Sequence, residues 1–566
     1  MNPSNNMKTI NVLNAGQHTY MHPMHKRDFL FTSKVTSQQF IMGLSLFFVS
    51  FFNKAFFTGA VHLFTIDSLS AGFFVLSLAP LLWLLTLFAI SFITMPKLLK
   101  PLSIFLLIAG AFSAYFMDTY GVVIDKEMLR NALETDVEET MGLISPQLIA
   151  YVLVIGVIPS WLIIKINIVW ENPWRELAIR LATVTVTLGL ALLLVLSISS
   201  YYSSFFRNHK EIRFLSNPLG FVYAGISLLS ESKQSPINID PISQDALLGI
   251  GTTHQTKPVL VVFVLGETAR AANFGLAGYK RNTTPLLDHQ DIIYFDNFMS
   301  CGTSTAVSVP CIFSSLERKN YSNAKAKSRH GLLDFMNTAG IDVLWRDNNS
   351  GCKGTCDRVS YETFESAESP NFCRDDNCYD EVLLQQLPQK ITGKNQLIVL
   401  HQKGSHGPAY DQRYPNDMRI YTPVCTTNQL QECTHEEVIN AYDNTIRYTD
   451  YFIKKVINFL TAQQDTHNTV MVYVSDHGES LGENNLYLHG MPYAVAPDFQ
   501  KHVPYLFWAS DGFYRERGMD KKCLSKSKDN YYSHDNIFHS FLGLFDIKTK
   551  YYQPEMDMFL PCFKHD

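Results

Sequence analysis

The first 300 residues contain no cysteine, although the chain holds ten in its 566 residues. No CxxC pair occurs, which argues against a cytosolic zinc-binding cysteine set. An even number of cysteines confined to one polar region instead indicates disulfides in an oxidising compartment. Pairing between neighbours is expected: Cys301 with Cys311, Cys352 with Cys356, Cys373 with Cys378, Cys425 with Cys433, and Cys523 with Cys562. Basic charge is not in excess either. The net charge is −5, so bulk charge gives nucleic-acid binding no support. No cleavable signal peptide is expected, because a polar tail of more than 30 residues precedes the first apolar stretch.

The chain is rich in apolar and aromatic residues. Aromatics reach 13% and Phe alone counts 39, of which 18 lie in the first 205 residues. Five stretches there are long enough to span a bilayer, roughly 38–64, 71–95, 98–118, 147–167 and 178–202. The first contains Asn53 and Lys54, and their polar groups are expected to reach for the membrane interface. Lys8, Lys26, Arg27 and Lys34 precede this stretch. Lys97 and Lys100 follow the second, and Lys165, Arg175 and Arg180 follow the fourth. Segment 118–146 instead carries seven acids against Lys126 and Arg130. The positive-inside rule puts residues 1–37 in the cytoplasm as a tail. Five crossings over 38–202 then leave everything after about 203 outside, in agreement with the cysteines. Within 118–146, Asn131, Thr135 and Glu139 recur at helical spacing and would share one face. That face suits either a lipid headgroup or solvent.

Residues 203–256 resemble a juxtamembrane segment and linker, and 257–566 a soluble domain long enough to bury an α/β core. In this domain four apolar runs end in polar clusters. They lead into Gly266-Glu267, Arg346-Asp347-Asn348-Asn349, His401 and Ser475-Asp476-His477-Gly478. Short, β-branched, wholly apolar runs fit parallel strands buried on both faces, whose carboxyl ends gather ligand-binding groups. Glu267, Asp476 and His477 are suited to zinc. Thr303, Ser304, Thr305 and Ser308, between Cys301 and Cys311, are candidate hydroxyl nucleophiles that need a base or metal for activation. If a helix opens after this loop, its free N–H groups would face a phosphate. His401, His406 and His489 could hold a second zinc or move a proton. Asn349, Ser350 and Lys353 are phosphate-facing donors.

Gly266-Glu267-Thr268, Ser300 to Thr305, Arg346 to Ser350, His401 to Pro408, Ser475 to Ser480 and Leu488-His489-Gly490, taken in order, resemble the lipid A phosphoethanolamine transferases, including the mobile colistin-resistance type. The resemblance covers nearly the whole chain. It implies an α-helical five-span transmembrane domain followed by a periplasmic α/β domain, alkaline-phosphatase/sulfatase-like, with a largely parallel central sheet. It implies one tight zinc held by Glu267, Thr305, Asp476 and His477, with Thr305 also the nucleophile. His401, His406 and His489 would surround the headgroup or a second zinc. Thr303, Asn349, Ser350, Lys353, Glu479, Asn131, Thr135 and Glu139 would contact substrate. Phosphatidylethanolamine is the implied donor and a phosphate of lipid A the implied acceptor, at the Gram-negative inner membrane, by a monomer. The expected outcome is a lower negative surface charge and polymyxin resistance. The alternatives are transfer to core oligosaccharide or periplasmic glucan, a lipoteichoic-type polymerase, or a zinc-binding scaffold. Val307 departs from relatives that place an aromatic there.

Overall fold

A computed structural model describes residues 34–64, 68–93, 95–134, 137–232, 238–253, 255–364, 369–374 and 377–564. The expected cytoplasmic tail falls almost wholly outside them. The membrane half contains helices α1 (Ser37–Phe51), α2 (Lys54–Leu63), α3 (Leu69–Ile93) and α4 (Leu99–Tyr120). Two short helices follow, α5 (Lys126–Glu134) and α6 (Val137–Leu143). After them come α7 (Pro146–Lys165), which contains a π-helical turn, α8 (Pro173–Ser197) and the juxtamembrane α9 (Leu219–Ser232). Among the described residues four helices, α3, α4, α7 and α8, are long and apolar enough to cross a membrane. A fifth crossing requires α1 and α2 to be counted together. Leu181, Leu188, Leu192 and Leu196 of α8 are more than half exposed, the surface that acyl chains would cover.

The first expected span is bent by 54° between α1 and α2. Asn53 lies at the break and does not reach for water; it is fully buried. Its Nδ2 donates to the carbonyls of Phe48 at 3.0 Å and Asn217 at 2.8 Å, and its Oδ1 accepts from the Asn217 N–H at 2.8 Å. Asn217 in turn donates to Phe52 O at 3.1 Å. The carbonyls freed by the break are thus satisfied inside the protein, as an apolar surrounding demands. Ala55 N donates to Asp118, close to the end of α4, so Lys54 lies level with that end of the bundle. Asn53→Ala would leave the backbone N–H and carbonyl of Asn217 without their partners in this knot. It is expected to cost about 2–3 kcal/mol, read as a lower unfolding temperature of the purified full chain. An unchanged temperature would mean that the knot carries no stability.

The second half is built on a seven-stranded sheet. Its strands are β1 (Val259–Gly266), β2 (Ile293–Phe295), β3 (Asp342–Asp347), β4 (Ser360–Thr363), β5 (Gln396–His401), β6 (Asn468–Ser475) and β7 (Tyr505–Ala509). They lie in the order β2-β7-β6-β1-β5-β3-β4. The five strands from β6 to β4 are parallel, and β7 and β2 add antiparallel partners at one edge. The apolar run of β1 is explained by its central place. Leu260, Val262 and Val264 enter the core on one face, while Val259, Val261, Phe263 and Leu265 enter the core on the other.

All ten cysteines pair with their neighbours as expected. The loop closed by Cys425 and Cys433 docks on the membrane half. Tyr115 OH donates to Gln429 Oε1 at 2.8 Å, Gln429 Nε2 donates to Tyr120 OH at 3.3 Å, and Gln147 Nε2 donates to Glu432 Oε1 at 2.9 Å.

Candidate metal centre

Pairing between the two central strands assembles the centre. Ser475 at the end of β6 lies opposite Gly266 at the end of β1, so Asp476 and Glu267 emerge level with each other. Glu267, Asp476 and His477 are fully buried, and their ligand atoms lie within 4.8 Å of one another. Among the described residues this is the group of His, Cys, Asp and Glu that could hold a metal ion. Gly404 permits the close packing, since a Cβ there would lie 2.6 Å from the carbonyl oxygen of Glu267.

Thr305 opens helix α10 (Thr305–Ile312), whose N-cap Ser304 makes no side-chain cap bond. The first N–H groups of α10 therefore face the centre without a capping side chain, as anion binding requires. Thr305 Oγ1 lies 3.0 and 3.2 Å from the two Glu267 oxygens and 3.4 Å from His477 Nε2. Of the four candidate hydroxyls this one reaches the carboxylates. Thr303 Oγ1 donates to Met491 O at 2.6 Å instead. The disulfide between Cys301 and Cys311 brackets the loop and helix.

The donor set fits a cation. Asp476 Oδ2 is buried and accepts no hydrogen bond. Its Oδ1 is occupied by the N–H groups of Thr268 at 3.1 Å and His477 at 2.8 Å. His477 Nδ1 pairs with the Gly478 carbonyl at 2.9 Å, which fixes a proton there and turns Nε2 toward the Glu267 and Asp476 carboxylates. Electrostatics point the same way. Burial, with the Glu267 charge beside it, raises Asp476 to about 6. Burial opposes a proton on His477, yet the carboxylates of Asp476 and Glu267 outweigh it and raise the group to about 10. Glu267 is held well below its ordinary range, its own burial outweighed by His477. Protonated His477 thus supplies the positive charge that a metal would supply.

Around this set, Asn349 Nδ2 donates to Glu267 Oε2 at 2.7 Å and lies 3.3 Å from His401 Nε2. His401 Nδ1 is 3.0 Å from Asp347 Oδ2, which also accepts from Trp345 Nε1. Burial opposes a proton on His401, but Asp347 overrides it and raises the group. His406 and His489 face each other with ring centroids 5.6 Å apart, and His489 lies 4.4 Å from His477. Glu479 holds His489 at 3.3 Å, behind the ring. The three outer histidines therefore split into a His401–Asp347 pair and a His406–His489 pair.

Lys353 Nζ donates to Ser350 Oγ at 2.9 Å and to the Glu134 carbonyl at 3.0 Å, the last residue of α5. It ties the membrane half's loop to the centre. Asn131 is buried on α5. Thr135 lies outside the described residues, as does the side chain of Glu139, which belongs to α6. Two residues escaped the strand-end reading. Asp347 closes β3, but nothing near it in sequence reveals its partner His401, 54 residues away. His534 is buried, with Nδ1 accepting from Cys301 N at 3.1 Å and Nε2 donating to Ser475 O at 3.0 Å. Burial lowers it to about 3, so it stays neutral while joining the loop before Thr305 to β6.

Comparison with known proteins gives a consistent picture. Residues 260–547 match the sulfatase family, and residues 82–232 match the family described as phosphoethanolamine transferase EptA/EptB. The chain is 39% identical over 527 residues to the phosphoethanolamine transferase EptA of Escherichia coli K12, covering 92% of this chain and 96% of that protein. It is 41% identical over 462 residues to the phosphatidylethanolamine transferase Mcr-1 of Escherichia coli, covering 79% and 84%. The solved structure of the integral membrane lipooligosaccharide phosphoethanolamine transferase A from Neisseria meningitidis superposes with a TM-score of 0.90 at 37% identity, covering 94% of this chain and all of that one.

Proposed function

Since the chain belongs to the EptA/EptB phosphoethanolamine transferase family, with a sulfatase-type catalytic domain, we propose that it moves phosphoethanolamine from phosphatidylethanolamine to a phosphate of lipid A through a covalent Thr305 intermediate. Its catalytic domain faces the periplasm from the inner membrane. The observation that carries the mechanism is the position of Thr305 Oγ1, within 3.4 Å of both Glu267 and His477 at the carboxyl ends of the central strands.

Glu267, Asp476, His477 and Thr305 would hold zinc, which when bound stabilises the Thr305 alkoxide and offsets phosphate charge. Thr305 Oγ attacks phosphorus and the bond to the diacylglycerol oxygen breaks. His489 lies against the His477 ring with His406 beyond it, and one of the two can give the leaving alkoxide its proton. An oxygen of the acceptor phosphate then attacks the same phosphorus and the bond to Thr305 Oγ breaks. Asn349 and the open N-terminus of α10 orient the phosphoryl oxygens. Asp347 keeps His401 fixed beside Asn349. Water must be kept out between the two steps, or the intermediate hydrolyses. Adding an ethanolamine cation to lipid A lowers its negative charge and with it the binding of polymyxins.

Zinc affinity is expected to follow the protons on Asp476 and His477. Both must leave for binding, so affinity rises with pH. It rises about a hundredfold per unit below about 6, where two protons are displaced, and about tenfold per unit from about 6 to about 10, where His477 alone is protonated. Chelator competition on the full chain measures this. A flat profile between about 6 and 10 would remove His477 from the ligand set. Mass spectrometry of lipid A, with and without expression, tests the acceptor. Addition only to core sugars or glucan would replace lipid A in this reading.

A further inference from the structure

Residues Arg318 to Arg329 include Arg318, Lys319, Lys325, Lys327 and Arg329 and no acidic residue. Their short helix α11 (Asn323–Lys327) has two neighbours. On one side it supports the nucleophile helix. Asn323 Nδ2 donates to Ala306 O at 2.8 Å, and Tyr321 OH donates to Val307 O at 3.2 Å, both carbonyls in the turn that starts at Thr305. On the other side Ala324 N donates to Glu231 of the juxtamembrane helix α9 at 3.3 Å. Between α5, α9 and α11 lies a groove of about 540 Å³. Lys126, Lys325, Glu231 and the hydroxyl-bearing Ser227, Ser230, Ser322 and Ser328 line it.

The flank of this groove is apolar. Tyr223, Ile226 and Leu229 recur every third residue along α9 and are 66%, 60% and 64% exposed. An exposed apolar row on a helix next to membrane spans is where acyl chains lie, so the hydroxyl-lined groove beside it sits at headgroup level. The charges then select among headgroups. A zwitterionic donor needs a free carboxylate for its ammonium, but Glu231 is already held by Lys126 at 2.7 Å and Arg130 at 2.9 Å. Among the described residues the Lys325 ammonium donates to the Asn320 carbonyl, at a long 3.5 Å, and keeps further N–H groups for an anion.

We propose that this groove seats the phosphorylated sugar headgroup of the acceptor lipid, with Lys325 bonded to a phosphate and the serines to the sugar hydroxyls. The assignment rests on the transfer reaction above and adds a docking place for its second substrate, one wall of which braces the first turn of the nucleophile helix.

The test uses the purified full chain in lipid nanodiscs and two readouts. One is single-turnover release of diacylglycerol from phosphatidylethanolamine, and the other is transfer to lipid A. Lys325→Glu is expected to raise the acceptor KM about tenfold, the loss of one charge-assisted contact. Diacylglycerol release should keep its rate, which also shows that the variant folds. Lys325→Arg should retain acceptor affinity, and Ser227→Trp, which fills the groove, should reproduce the defect. Unchanged acceptor KM in both Lys325→Glu and Ser227→Trp would overturn the proposal. Slowed diacylglycerol release in both would also overturn it, since the groove would then serve the donor or merely prop α10. Failure of the reading it rests on looks different: the unsubstituted chain itself would release diacylglycerol without modifying lipid A, and the proposed occupant would fall with it.

Discussion

Thr305→Ala is expected to abolish transfer, with no phosphoethanolamine on lipid A from cells that express it. Loss of a nucleophile that forms a covalent intermediate costs roughly four to six powers of ten in rate. The remaining groups cannot take over the role. Thr303 is committed to Met491 O, and Ser304, the N-cap, precedes the helix that aims its successor at Glu267. Thr305→Ser restores the hydroxyl and should restore a large part of the activity. Zinc should stay bound in Thr305→Ala, because Glu267, Asp476 and His477 are untouched. Normal lipid A modification by this variant would remove Thr305 from the nucleophile's role.

Asp476→Ala is the complementary case. It removes a buried carboxylate whose Oδ2 accepts no hydrogen bond and has His477 Nε2 beside it at 3.4 Å, so His477 and the metal would miss that oxygen. Changes behind a metal ligand cost about ten- to a hundredfold in affinity. Removal of the ligand itself should exceed that and leave the purified protein without zinc and without transfer activity. It should also lower His477 toward its ordinary range, since the Asp476 charge is the foremost of the influences that raise it. Full zinc content in this variant would show that Asp476 is not a ligand. Together the two substitutions separate the nucleophile from the metal: one should lose chemistry with the ion in place, the other both.

The legible part of this protein was the part governed by short-range pattern. Wholly apolar runs ending in Glu267, Asn349, His401 and Asp476 announced parallel strands, and parallel strands put their ends on one edge. The disulfides paired neighbours, so spacing sufficed. What escaped depends on partners far apart in the chain. The break at Asn53 is invisible in hydropathy, because the residues on both sides are apolar and its partner Asn217 lies 164 positions away. Lys353 stands among the phosphate-facing donors, and its ammonium also bridges Ser350 and Glu134, a contact between halves that no local rule reveals. His534 sits in a polar turn with no apolar run before it, and only the fold brings it between Cys301 and Ser475.

The level pairing of Gly266 with Ser475 has a consequence for how the centre comes into being. In small zinc domains the ion recruits its ligands from a disordered chain, and chelation unfolds them. Here Glu267 and Asp476 leave one rung of a backbone ladder whose cohesion comes from Phe263, Val472 and their neighbours. Formation of the sheet and convergence of the ligands are one event. The chain can therefore finish folding before it meets zinc, and should give up the ion and take it back without losing its shape.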